Sequence, residues 1–519
     1  MNAKEIKRLG EIEKRVDEIF KENGLETTNI NFEIVTAERM IEAMAYSLPT
    51  NFSHWSFGRN FERENTQYQH SGHGIPYEVV WNFDNPTALL VDTNPFALNV
   101  LILAHVYGHV DFHLANMLMR KSRSIADITI EARSAKKRFL EYEKKYGVEE
   151  VEKVIDAAIA FQYHQDSDPF SDALPEEEIR ERYLSAEMEN LNRYQKALDA
   201  TTDNDEAEKL KKDIEETEKL IQFYEQHTPP VPEYDILKYM IEKSPKMKKS
   251  WVKDVVTVVR EQMRALAPNF RTRLLNEGWA TFWHVRVLRQ LAKEKIITPA
   301  EHEEAIQFHA QVTQKRRLGF NVYSIGPAFW EMIEDRWDKG RFGDEWEKCR
   351  DQEEKRNWDK KLGLGRKKII GLRKMLSDRM AIESYFYDEF IRDEQMYLWQ
   401  TEIDPMTGEE VYSIAEDRPE VIREILIRQH TTFGIPAVAV VDGNLNDLGH
   451  LLIKHSFSGF ELDPKYENGA LEKLYFFWER PIHLITYEIK GYDEEKHTFS
   501  LKEILHTYNG ARHEIIDLG

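Results

Sequence analysis

The chain has one cysteine, Cys349, in 519 residues. A single thiol excludes an intramolecular disulfide and any zinc site built on cysteine, so metal chemistry is left to histidine and carboxylate. Also missing is any stretch approaching the roughly 20 apolar residues that span a bilayer. The N-terminal MNAKEIKRLGEIEKRVDEIF is charged and has no apolar core of a secretory leader, so the expected location is cytoplasmic. Positive charge is in deficit: 71 Lys+Arg against 92 Asp+Glu gives −21. That balance argues against a duplex nucleic-acid binder, whose phosphate contacts need clustered cations. No P-loop, GxGxxG or GxSxG motif and no solenoid repeat occurs, which leaves ATP hydrolysis and serine esterase chemistry without support.

What is present is a globular composition, 41% hydrophobic and 11% aromatic, on a chain long enough for about three domains. Its most informative stretch is AHVYGHVDFHLAN, Ala104 to Asn116, which continues the apolar run Phe96 to Leu103. On one helix His105, His109 and His113 fall at i, i+4 and i+8, sharing a face with Leu98, Leu101 and Ile102. Imidazoles on a core face need partners. Two of them at i, i+4 have Cβ atoms roughly 6 Å apart, which suits one metal ion.

A catalytic zinc usually takes three protein ligands and leaves a position for water. The best third ligand lies in LLNEGWATFWH, Leu274 to His284, which places Glu277, Thr281 and His284 on one helix face. Together the two stretches resemble the halves of a gluzincin site, where a helix bearing two histidines is completed by a glutamate from a downstream helix. The general-base glutamate of the HExxH pattern is here Val106. Asp111, His113 or His284 would have to take its role. The other reading of the same residues is a hydrogen-bonded cluster of core histidines with no metal.

The remaining chain reads as helix 3–22 stopped at Gly24, a strand Ile30 to Val35, and a helix from Thr36 to about Tyr46. HWSFGR follows, a loop-like composition in which His54, Trp55 and Arg59 are candidate substrate contacts. Strands at Tyr77 to Trp81 and Ala88 to Asp92 are expected beside the histidine helix. Residues 123–163 and 174–226 are charged and helical, most simply a solvated antiparallel hairpin, and Pro229 to Pro232 lead back to the core. Helices over 236–292 are expected to break at Pro268. Asn321, Tyr323 and Gly326 are candidates for a pocket wall, with Tyr323 the candidate substrate contact, while Trp330 and Trp337 read as core. The expected fold is mainly α with a small β component. A gluzincin-like helical core would take residues 1–122 and 236–415, a long charged insertion 123–235, and an α+β accessory domain 416–519.

HWSFGR, the Tyr77 to Val80 strand, AHVYGHVDF, PPVPEYDIL, NEGWATFWH, NVYSIG and IPAVAVVD, in that order, resemble the stage V sporulation protein R family over nearly the full length. The resemblance implies a cytoplasmic bacterial protein named for a part in spore cortex formation. Where family members often carry Phe this chain has His113, and NPYxLG appears as NVYSIG. The reading that joins these strands is a hydrolase with Zn2+ or another divalent metal on His105, His109 and Glu277, and with Asp111 or His284 orienting ligands or shuttling protons. An amide bond in peptidoglycan or its precursors is the substrate class implied by the resemblance. The alternative is a non-catalytic scaffold or regulator. In either case the charged arm or the C-terminal domain is where a protein partner would dock, with no nucleic acid and no membrane span expected.

Overall fold

The computed structural model describes residues 1–45, 52, 54–71, 78–82, 85–124, 128–165, 174–403, 408–432, 434–493 and 498–518. Tyr77 and the DPMT tip of the turn after Ile403 lie outside them. The fold is mainly helical, with a small β component and a C-terminal sheet. The chain divides into two compact units, each made of two segments. One comprises Met1–Lys136 with Ala265–Gly434, and the other Lys137–Arg264 with Ile435–Gly519.

The first unit is built around the histidine helix, Phe96–Ala115, in which every residue except Phe96 and Leu114 is buried. Such burial explains why the sequence there is apolar all round. The helix Ala3–Glu22 packs on it, closed by a capping box between Asn2 and Glu5 and stopped before Gly24 at φ +73°. Strands Asn31–Val35, Thr87–Val91 and Glu78–Trp81 form a small sheet with Thr87–Val91 in the middle, parallel to the first and antiparallel to the last.

The glutamate helix, Arg273–Lys293, crosses the histidine helix at very close range. A Cβ on Gly108 would lie 2.6 Å from Ala280 Cα, so only glycine lets the two backbones meet. Its other side meets the helix Val322–Asp338 through glycine on both partners: a Cβ on Gly278 would lie 2.4 Å from the carbonyl carbon of Gly326. Gly326 therefore serves helix packing and not a pocket wall. The start of the glutamate helix is capped from a distance, because the buried Asp378 accepts hydrogen bonds from the Leu274 and Leu275 amides at 2.8 and 3.0 Å.

A buried ion pair ties these layers together. Asp111 on the histidine helix accepts from Arg373 of the helix Gly365–Arg373, from the Trp279 indole at 2.7 Å and from the Glu26 amide at 2.6 Å. Both ionic partners are at most 1% exposed. Burial pushes the Asp111 carboxyl up, and Arg373 with the two neutral donors pulls it back.

Two segments depart from the sequence expectation. HWSFGR is not a loop: Trp55–Ser71 is a helix, begun where His54 Nδ1 accepts the Ser56 amide at 3.3 Å. Pro268 does not break its helix either, since Ser250–Arg271 runs through it and ends at Thr272. The proline removes only its own N–H from the helix, and its carbonyl still closes the last turn by accepting the Thr272 amide at 3.1 Å.

In the second unit, Glu176–Ala200 and Asn204–Gln226 pair as a hairpin whose one buried side chain is Thr217. The helix Val148–Ile159 is different: it packs on Pro464–Trp478, and Lys473 Nζ donates to the Asp156 carbonyl at 3.1 Å. The C-terminal sheet has five strands in the order 513–517, 498–508, 482–493, 450–456 and 437–445. Strands 450–456 and 482–493 are parallel, with the helix Pro464–Trp478 as their crossover. The helix Pro419–Thr432, expected to open this domain, packs instead on Asp378–Tyr385 in the first unit. Among the described residues no helix is long and apolar enough to cross a membrane.

Two stability outcomes are expected. Gly278→Ala should destabilise the first unit by about 1–3 kcal/mol through overpacking against Gly326, whereas Gly10→Ala, with nothing within 4 Å of the added carbon, should not. Asp111→Ala leaves the buried Arg373 with only the exposed Glu26 carboxylate at 3.8 Å and should cost about 3–5 kcal/mol. Urea unfolding followed by tryptophan fluorescence measures both. An Asp111→Ala protein as stable as wild type would refute the structural role of that pair.

Candidate metal centre

Between the histidine helix, the glutamate helix and the strand Glu78–Trp81 lies a cleft of about 730 Å3. His105, His109, His113, Glu277, His284, Glu78 and Tyr323 all line it. The two stretches singled out in the sequence are thus brought together as expected, although 168 residues separate His109 from Glu277.

Three atoms converge at its centre. His105 Nε2 and His109 Nε2 are 3.0 Å apart, and Glu277 Oε2 is 3.5 and 3.4 Å from them. Bonds of about 2.0–2.2 Å to a tetrahedral ion place neighbouring ligand atoms roughly 3.3–3.6 Å apart, close to the separations found here. Glu277 Oε2 is buried and takes no hydrogen bond among the described residues. Buried carboxylate oxygens are seldom left so. A donor set of two imidazoles and one carboxylate fits zinc or a similar divalent ion.

The outer hydrogen bonds orient this set. His109 Nδ1 lies 3.0 Å from Asn276 Oδ1, which can only accept, so the proton sits on Nδ1 and the lone pair of Nε2 faces the centre. Asn276 then donates to His113 Nε2 at 3.3 Å. On the other side His105 Nδ1 is 3.0 Å from His284 Nδ1, and His284 Nε2 is 2.8 Å from His309 Nδ1 on the helix Pro299–Val312. When each ring in that row donates outward, His105 Nε2 is also a bare lone pair. Three acceptors then point at one another, an arrangement that suits a cation between them.

Charge in the cleft follows the same pattern. Burial pushes the Glu277 carboxyl up, but His109 and His105 outweigh it and hold the group well below the usual carboxylate range. Burial, then repulsion from His105 and His309, keeps His284 neutral. Glu78 Oε1 lies 3.8 Å from His105 Nε2, close enough to join His105 and His109 as a metal-holding group. Burial raises the Glu78 carboxyl, with His105 opposing and Glu277 adding to the rise. The charge of Glu277, followed by burial, holds the Tyr323 phenol well above its ordinary value, so it keeps its proton.

Other expected site residues fall elsewhere. Asp111 is turned into the Arg373 pair and does not line the cleft. His54, Trp55 and Arg59 do not line it either: His54 is 2.6 Å from the Ser56 hydroxyl, and Arg59 lies over the half-exposed Trp55 ring at 5.5 Å. Asn321 caps the helix Val322–Asp338 and borders an adjoining cavity. Sequence reasoning missed Glu78 and His309. A lone carboxylate within the apolar run EVVW was the available signal for Glu78, since burying it demands a partner. Nothing in the sequence marks His309, one of several polar residues on an amphipathic helix.

Three comparisons bear on this geometry. No solved structure matches the chain. "Uncharacterized protein YcgB" of Escherichia coli (strain K12) is 31% identical over 336 residues, which is 61% of this chain and 62% of that protein, so the match spans less than two thirds of the relative's length. The family described as "SpoVR like protein" matches residues 3–435, a range that takes in the histidine helix, the glutamate helix and the strand Glu78–Trp81. On that match the chain belongs to the SpoVR-like protein family.

Proposed function

We propose that the chain is a metal-dependent hydrolase of amide bonds, with His105, His109 and Glu277 holding Zn2+ or another divalent ion. The observation that carries this reading is the convergence of three acceptor atoms, one of them an unbonded buried carboxylate oxygen, in an accessible cleft. The arrangement is gluzincin-like in its two histidines on one helix and its glutamate on a second. A divalent ion held there supplies Lewis-acid activation of a carbonyl and of water. This chain replaces the absent HExxH glutamate from another element. Glu78, its carboxyl raised by burial, accepts the proton of the attacking water and passes it to the amide nitrogen as the C–N bond breaks and the amine leaves, and the protonated Tyr323 donates a hydrogen bond to the carbonyl oxygen as charge develops on it. His284 and His309 orient His105 as an outer hydrogen-bonded pair. The family's name links it to sporulation, and on that association alone an amide bond of peptidoglycan or its precursors is the substrate class we propose.

One observation favours a second reading, a non-catalytic scaffold or regulator. The 3.0 Å between His105 Nε2 and His109 Nε2 is also a hydrogen-bond distance. With the row of rings donating inward, His309 to His284 to His105 to His109, the imidazoles satisfy one another without a metal.

Metal analysis by plasma mass spectrometry separates the two. The hydrolase reading expects near-stoichiometric divalent metal in the wild type, lost in His105→Ala, His109→Ala and Glu277→Ala, and bound about 10–100-fold more weakly in His284→Ala. Glu78→Gln should keep the metal and abolish hydrolysis across a panel of amide substrates. Metal-free wild-type protein, with all three ligand variants folded as before, would overturn the hydrolase reading in favour of the scaffold.

A further inference from the structure

The glutamate helix carries Arg273 one turn before Glu277, on the same face. An arginine and a glutamate so placed ordinarily pair. Here the Glu277 carboxylate is turned to His105 and His109, and Arg273 has no carboxylate partner among the described residues. Arg316 is in the same condition. Its neighbour Arg317 lies over the Trp399 and Tyr412 rings at 5.6 and 5.0 Å, whereas Arg316 lines the cleft and is unpaired among the described residues. Two exposed cations without counter-charge thus face one opening, in a chain of net charge −21.

They also line a second cavity. This space, about 330 Å3, shares Phe270, Arg273, Arg316 and Tyr323 with the metal-centre cleft. No carboxylate is among the described residues that line it, and Asn321 and Gln429 add neutral polar groups. The cleft is therefore acidic at Glu78 and Glu277 and basic where it adjoins the second cavity.

We propose that the second cavity is an oxyanion subsite, in which Arg273 and Arg316 clamp a carboxylate or phosphate of the ligand whose neutral part extends into the cleft. Two guanidinium groups offer the forked donors that such a planar or tetrahedral oxyanion accepts. Phe270 and Tyr323 form the wall that the connecting part of the ligand passes. The role of the subsite in substrate recognition rests on the hydrolase reading above; anion binding itself does not.

The test uses the full-length protein, isothermal calorimetry and three probes: N-acetylglycine, glycerol phosphate and the neutral N-acetylglycinamide. An anion should bind and the amide should not. Stronger binding of N-acetylglycine identifies a peptide-like carboxylate as the source, and stronger binding of glycerol phosphate a phosphorylated ligand. Arg273→Gln and Arg316→Gln should each weaken the anion about 10-fold, as expected for a lost charged hydrogen bond, with metal content unchanged. Repeating the titration after chelation separates the two proposals. Arginine-dependent binding by metal-free protein supports the subsite even where the metal reading fails. Metal-loaded protein whose anion affinity is the same in the double variant, or that binds none of the probes, overturns the subsite and leaves the metal reading intact.

Discussion

The backbones of two helices touch where Gly108 faces Ala280, and the site exists because of that contact. Side chains beside the crossing and one turn away from it are forced to interleave, which brings His105 and His109 against Glu277 and His284. Glycine at 278 and 326 repeats the device on the far side, so the glutamate helix is held from two directions. With the histidine helix buried on almost every residue, its polar groups are largely withdrawn from bulk solvent. Each of them must be answered by a neighbour. Asp111 is answered by Arg373, His109 by Asn276 and His105 by His284, and these answers fix where every ring nitrogen points.

That logic also explains how much could be read beforehand. The histidine helix was legible because an apolar run with imidazoles at helical spacing has few other meanings. The glutamate helix was legible because Glu277 and His284 share a face that must meet something polar. Asp111 was misread for a related reason: spacing puts it on the same helix but not on the same side, and only the fold shows Arg373, 262 residues away, as its partner. HWSFGR was misread because its glycine and aromatics suggested a loop, whereas His54 supplies the acceptor that starts a helix. The small sheet was visible from its β-branched runs, yet Glu78 was not, because strand pattern says which face a residue takes and not what approaches it. The helix Pro419–Thr432 shows the limit for boundaries, since composition changes at Arg418 while the packing changes after Gly434.

Charge is distributed in the cleft by a division of labour among three elements. The histidine helix contributes imidazoles, the glutamate helix and the first-unit sheet contribute carboxylates, and the mouth carries two arginines. Burial raises the Glu78 carboxyl, with the charge of Glu277 adding to the rise, while His109 and His105 hold Glu277 down against its own burial. The two acids are thereby driven apart in proton affinity, one suited to hold a cation and the other to take a proton.

Placing the second acid on a strand has a geometric consequence for the chemistry we propose. In an HExxH helix the base and the first ligand are adjacent in sequence, so rotating that helix moves both together. Here Val106 keeps the helix position apolar and packed, at 0% exposure, while Glu78 approaches from the edge strand of a three-stranded sheet. Ligand set and proton acceptor therefore belong to different rigid elements, linked through the side-by-side packing of the strand on the histidine helix. The distance between them, 3.8 Å from Glu78 Oε1 to His105 Nε2, is set by tertiary packing and not by helix pitch. A change in that packing alters the base without disturbing the ligands, which is why the effects of Glu78 and of His105, His109 and Glu277 are separable by experiment.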